Sequence, residues 1–132
     1  MENKVKNLDL LAAQTAQDII SNTEKQKASD VENLITKALG VLQENGVYAA
    51  LLYLYSRSSN DKAVAEQTRN KLLDLLPKLE KGLPTLPGYD AKNALKFMTD
   101  NVCGDLDRLL LVKQMWEQTL IYARYGAKAR EE

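Results

Sequence analysis

The residues of this chain with the most chemical potential are its carboxylates, its one thiol, its tyrosines and a set of cations toward the C-terminal end. Asp105 and Asp107 invite a metal-binding reading, but side chains two apart on a helix point about 200° apart and do not converge on one ion. Helix capping and solvation account for them better. Asp9 with Asp18, and Asp74 with Glu80, would need tertiary contacts to gather further carboxylates, and neither spacing matches a Ca or Mg loop. A small hydrolase built on carboxylate-bound Mg therefore requires three or more acidic side chains to meet in the fold. The chain has no histidine, which removes His-based triads, His general bases and most zinc sites. Cys103, the single cysteine, lacks a histidine to activate it, and its neighbours Val102 and Gly104 give no reason for a depressed pKa. It reads as a small core residue. No Gly-rich phosphate loop occurs, and no cofactor is implied.

Binding chemistry is better represented. Tyr48, Tyr53, Tyr55, Trp116, Tyr122 and Tyr125 could offer stacking surfaces to bases, although packing in a core or interface uses the same amphipathic rings. Lys113 and Arg124 are eleven residues apart, about 20° of helical arc, and Lys128 lies one turn beyond Arg124. They form one basic stripe, with Tyr125 and Arg130 adjoining it. Such a stripe can also be a solvated face whose cations complement the helix dipole.

These side chains need a scaffold, and the composition indicates which kind. At 132 residues the chain has the size of one domain with a sizeable core. Apolar residues at 45% and charged residues at 27% match ordinary globular proteins, and Gly, Pro and aromatic residues are too sparse for a turn-rich β-sandwich. We expect an all-α, single compact helical bundle of about five or six helices spanning 1–132. Eighteen basic residues balance eighteen acidic ones, so the overall field does not draw the chain onto nucleic acid or an anionic membrane. A lone cysteine rules out an internal disulfide and fits a reducing compartment. The first residues lack the apolar segment of a signal peptide, and no run approaches the ~20 apolar residues of a membrane span. The expected location is the cytoplasm, with no membrane partner and no small-molecule substrate.

The chain is organised around its most apolar stretch, Asn45 to Arg57. Asn45-Gly46 breaks what precedes it, because Gly takes positive φ without steric cost. Ala49, Ala50 and the leucines then favour a helix over a buried strand, though Val47 and three tyrosines argue for the strand. Apolar residues on nearly every face predict burial almost all round. Before this hub, Leu8, Leu11, Ala12, Thr15, Ile19 and Ile20 mark a first helix that ends at Ser21-Asn22-Thr23 or frays on to Lys27. Ser29 or Asp30 caps a second, with Val31, Leu34, Ile35, Ala38, Leu39, Val41 and Leu42 inward.

After the hub, Ser58 to Asp61 leads into a helix from about Lys62 to Leu79. Its expected apolar face is Ala63, Val64, Leu72, Leu75, Leu76 and Leu79, and Pro77 sits near its end. A Pro/Gly loop follows over 81–88, pinned by Leu83 and Leu86. Asp90 caps a short helix from Ala91 to about Val102. The last helix begins near Asp105 and carries Leu109, Val112, Trp116, Leu120, Ala123 and Ala127 at steps of three and four.

Three features together resemble a known family. Lys37 lies a turn before an apolar helix end, Asn45-Gly46 opens an apolar helix that closes with Ser56-Arg57, and a terminal segment reads Glu117…Leu120-Ile121-Tyr122-Ala123-Arg124-Tyr125-Gly126-Ala127-Lys128-Ala129. This combination resembles the small subunit of the type III-B CRISPR (Cmr) RNA-targeting complex. Departures from that family's pattern are Ala38-Leu39 where a proline often follows the lysine, Val47 in place of a leucine, and Ala12-Ala13-Gln14 where the first helix would carry an arginine. The resemblance implies a non-catalytic subunit that stacks with copies of itself into an inner filament. Its partners would be the other Cmr subunits, the crRNA and the target RNA. Its matched basic positions are Arg57, Arg124 and Lys128; with Lys113 from the stripe they are the candidate RNA or subunit contacts. The competing expectation is a helical protein–protein adaptor without nucleic-acid contact.

Overall fold

The computed structural model describes residues 7–130, and among them the regular elements are all helical: α1 Leu8–Ser21, α2 Ala28–Asn45, α3 Val47–Tyr55, α4 Lys62–Leu79, α5 Ala91–Asn101 and α6 Leu106–Arg130, with one 3₁₀ turn at Ser59–Asp61. The expected all-α bundle is what the chain adopts. Helix α6 is its long axis. It packs chiefly against α1 and α2, while α3 joins α2 to α4 and α5. The bond from Gln43 Nε2 to Glu117 Oε2 (2.9 Å) and the pairing of Glu32 with Lys128 (3.8 Å) make α2 antiparallel to α6. Tyr122 bonds Asp9 and Arg130 bonds Thr23, so α1 runs alongside α6 in the same direction.

The α6 stripe lies where its spacing predicts: Val112, Trp116, Leu120, Ala123 and Ala127 are buried. Trp116 is fully enclosed and donates its indole N–H to the Leu72 carbonyl of α4 at 3.1 Å. That bond lets a polar ring sit in the core without an unmet donor. Thr15, Thr68 and Thr119 are buried too, each returning its hydroxyl to the carbonyl four residues earlier at 2.7–2.8 Å. Leu83 and Leu86 of the 81–88 loop pack on the core as expected.

Several boundaries differ from the sequence reading. Helix α1 ends at Ser21, as the Ser21-Asn22-Thr23 segment suggests, but Thr23 is buried and bonds back to Ile19 at 2.8 Å, so the chain turns there instead of fraying to Lys27. Helix α2 starts at Ala28, two residues before Asp30, and neither Ser29 nor Asp30 caps it; Lys27 occupies that place without a side-chain bond. Ala63 is exposed, and α4 instead buries Ala65, Thr68 and Leu73. Asp90 does cap α5, accepting from the Asn93 N–H, and Asp105 accepts from the Arg108 N–H at the start of α6.

The largest correction concerns α3. It is a helix, but one buried on a single face: Val47, Ala50, Leu51 and Leu54, at i, i+3, i+4 and i+7. Tyr48 and Leu52 are 38% and 46% exposed. Nine residues flanked on one side by neighbours can bury only the stripe that faces them.

Candidate nucleic-acid interface

Gly46 is the single residue between α2 and α3, with φ +97°, and it bonds back to Leu42 while accepting from Ala50, both at 3.0 Å. The sharp joint opens a shallow groove of about 460 Å³ between the two helices. Lys37, Gly40, Val41 and Glu44 form one wall, at i, i+3, i+4 and i+7 on α2, and Tyr53 and Arg57 form the other. Gly40 leaves this wall low, since a side chain there would meet nothing within 4 Å.

Arg57 carries the groove's chemistry. Its guanidinium lies 4.3 Å from the centre of the Tyr53 ring, and its Nη2 bonds Ser56 Oγ at 3.2 Å. Its Nε and the Tyr53 hydroxyl are shielded from water yet have no hydrogen-bond partner. A guanidinium packed over a ring can keep terminal N–H groups free to meet a phosphate or carboxylate. Two cations and one carboxylate, Glu44, give the groove a net positive charge.

The remaining candidates are all on α6 and share the flank that faces α2, as their spacing predicts. They do not form an uninterrupted stripe. Glu117 stands between Lys113 and Arg124 on that flank and is held by Gln43. Lys128 pairs with Glu32 at 3.8 Å, its side chain 68% exposed. Arg124 lies 5.2 Å from the Tyr125 ring centre, a looser version of the Arg57 arrangement. Arg130 is not on the stripe: it donates to the Thr23 carbonyl at 2.9 Å and to the Gln26 carbonyl, closing the α1–α2 turn. The fold thus separates the candidates into Arg57, joined by Lys37, and a second group on α6.

Sequence reasoning missed Arg69, a half-buried residue of α4 whose guanidinium sits 4.3 Å from the Tyr55 ring centre. Tyr55 in turn donates to the Tyr89 carbonyl, and the Tyr89 hydroxyl donates to Asp74, tying the loop to α3 and α4. Burial raises the pKa of the Tyr55 phenol, and the bond to Asp74 raises that of Tyr89. Only the pairing of Tyr with Arg on adjoining helices could have signalled these contacts. Cys103 is half-buried with its pKa raised by burial. Among the described residues no three His, Cys, Asp or Glu side chains gather to hold a metal, and no helix is long and apolar enough to cross a membrane.

Comparison with protein families, with curated proteins and with solved structures finds no match for this chain.

Proposed function

We propose that the chain is a non-catalytic structural subunit of a type III-B CRISPR (Cmr) ribonucleoprotein complex. In this reading copies stack as an inner filament and help hold the crRNA–target RNA duplex in antiviral defence. The observation that carries it is the α2–α3 groove, where Lys37, Tyr53 and Arg57, the residues of the first two motifs and their intervening helix, line one positive surface. Arg124, on its own tyrosine, and Lys128 provide a second set of contacts along α6. Each phosphate contact is a small, salt-sensitive increment, so a chain of zero net charge holds RNA best when several copies align their cations. Affinity purification from the native host tests the reading: CRISPR RNA and the other Cmr subunits should co-purify, and their absence would refute it.

The adaptor reading has an observation of its own. Tyr48 and Leu52 on α3, and Leu106 and Leu110 at the start of α6, leave large apolar side chains 38–68% exposed. An adaptor would bring down protein partners without RNA, and nuclease treatment would leave those partners bound.

A further inference from the structure

A second groove, of about 420 Å³, runs between α1 and α6, a size within the usual range of ligand sites. Its two sides differ in character. The α6 side offers Tyr122 and Tyr125 with Gly126 between them and the floor; the α1 side adds small Ala13 and Ala16 and a polar edge of Gln17, Ser21 and Glu24. Gly126 sits so close to α1 that a side chain there would meet Ile20 at 3.1 Å. Lacking one, it lets the helices approach while leaving a slot beside the tyrosines.

Tyr125 is 60% exposed, with the Arg124 guanidinium 5.2 Å from its ring centre. That exposure leaves the ring surface for an aromatic partner. Among the described residues the side chains of Gln17, Ser21 and Glu24 make no hydrogen bond of their own. They present an amide that donates and accepts, a hydroxyl and a carboxylate in a row from the end of α1 into the turn after it. A ligand matched to such a slot is flat, apolar on its faces and rich in N–H donors at one edge. Arg124, 5.2 Å from the Tyr125 ring centre, sets a cation next to that ring, so the ligand should also carry an anion there.

We infer that the α1–α6 groove is a nucleobase subsite, in which one unpaired base of a single-stranded RNA segment outside the held duplex stacks on Tyr125 and turns its N–H edge toward Glu24 and Gln17 while Arg124 holds the adjoining phosphate. The inference rests on the RNA-binding reading proposed above. It adds a requirement that reading lacks: the base itself is bound, and bases with an exocyclic amine fit the Glu24 edge best.

The test compares two probes of equal charge, a mixed-sequence RNA octamer and an abasic ribose-phosphate octamer, by fluorescence anisotropy with the full chain at low salt. The base-containing probe should bind about tenfold more tightly. Tyr125→Ala should bring it to the abasic level, and Tyr125→Phe should preserve the difference. Glu24→Gln should reduce the advantage of cytosine over uracil at an otherwise abasic probe. Equal, salt-sensitive binding of both octamers would overturn the base subsite while leaving the RNA reading intact. Binding of neither would overturn the subsite as well, and host purification would then decide the RNA reading separately. A base advantage that survives Tyr125→Ala would also overturn it, and circular dichroism melts of each variant separate lost binding from lost fold.

Discussion

The corner between α5 and α6 and the groove between α2 and α3 each centre on an arginine, and the two are used in opposite ways. At the corner Arg108 Nε meets Glu80 Oε1 at 2.9 Å and Nη1 meets the Asn101 carbonyl at 2.8 Å, while Glu80 and Asp105 hold its pKa above the ordinary guanidinium value. Its donors are committed to closing a turn. In the groove Arg57 lies over Tyr53 and spends a terminal donor only on its neighbour Ser56; its Nε is shielded without a partner, so the N–H groups a ligand can use are the remaining terminal ones. The difference separates arginines that build the fold from arginines that remain available to a ligand. Arg130 belongs with Arg108, and Arg124 with Arg57.

The comparison breaks most visibly if the available arginines prove to be structural. Arg57→Glu combined with Arg124→Glu should weaken RNA retention by the assembled complex at least about tenfold at moderate salt, through lost phosphate contacts and added repulsion. The melting temperature of the isolated chain should stay within a few degrees. A large fall in that temperature would move both residues into the structural class. Next in size, Arg130→Ala should destabilise the chain by about 1–2 kcal/mol in urea unfolding, because the Thr23 and Gln26 carbonyls lose their charged donor. RNA retention should then change by less than about twofold, as one distal charge is worth little.

Finer distinctions sharpen the contrast. Arg57→Lys keeps the charge but loses the guanidinium contact over Tyr53, so RNA retention should fall by about two- to fivefold, less than for the glutamate variant. The smallest effect concerns the framework at Asp90, whose carboxylate accepts from the Asn93 amide groups and has its pKa lowered by those bonds. A carboxyl with a depressed folded pKa contributes stability above its unfolded pKa of 3.8 and loses it as pH falls through the lower folded value. Acid unfolding of Asp90→Asn should accordingly depend less steeply on pH below about 4 than that of the parent chain, with RNA retention at neutral pH unchanged.

Much of this framework was legible in the sequence because its signals are local. The α6 stripe, the Asp90 cap, the Asn45-Gly46 break and the pinning leucines of the loop each depend on residues a few positions apart. What escaped depends on neighbours distant in sequence. Nothing near Leu52 says that no helix covers it, so α3 looked buried all round. Arg130 looked like part of a basic stripe because Thr23, over a hundred residues earlier, is what occupies it. Glu32 engages Lys128, and Gln43 holds Glu117, only through the α2 contact, whereas Glu117's place between Lys113 and Arg124 follows from local helical spacing. The candidate site was legible as a set of residue types; its division into two surfaces was not.

Gly46 has a consequence that reaches beyond the turn it makes. Because it alone links α2 to α3, the angle between those helices, and with it the distance across which Lys37 and Arg57 face each other, is set by one pair of backbone torsions. At φ +97° a side chain would meet no neighbouring atom, so it is the torsion and not crowding that reserves the position for glycine. The joint therefore acts as a gauge. Any residue that relaxed it toward negative φ would change the spacing of two cations without altering either of them, and a ligand with fixed phosphate spacing would register the change.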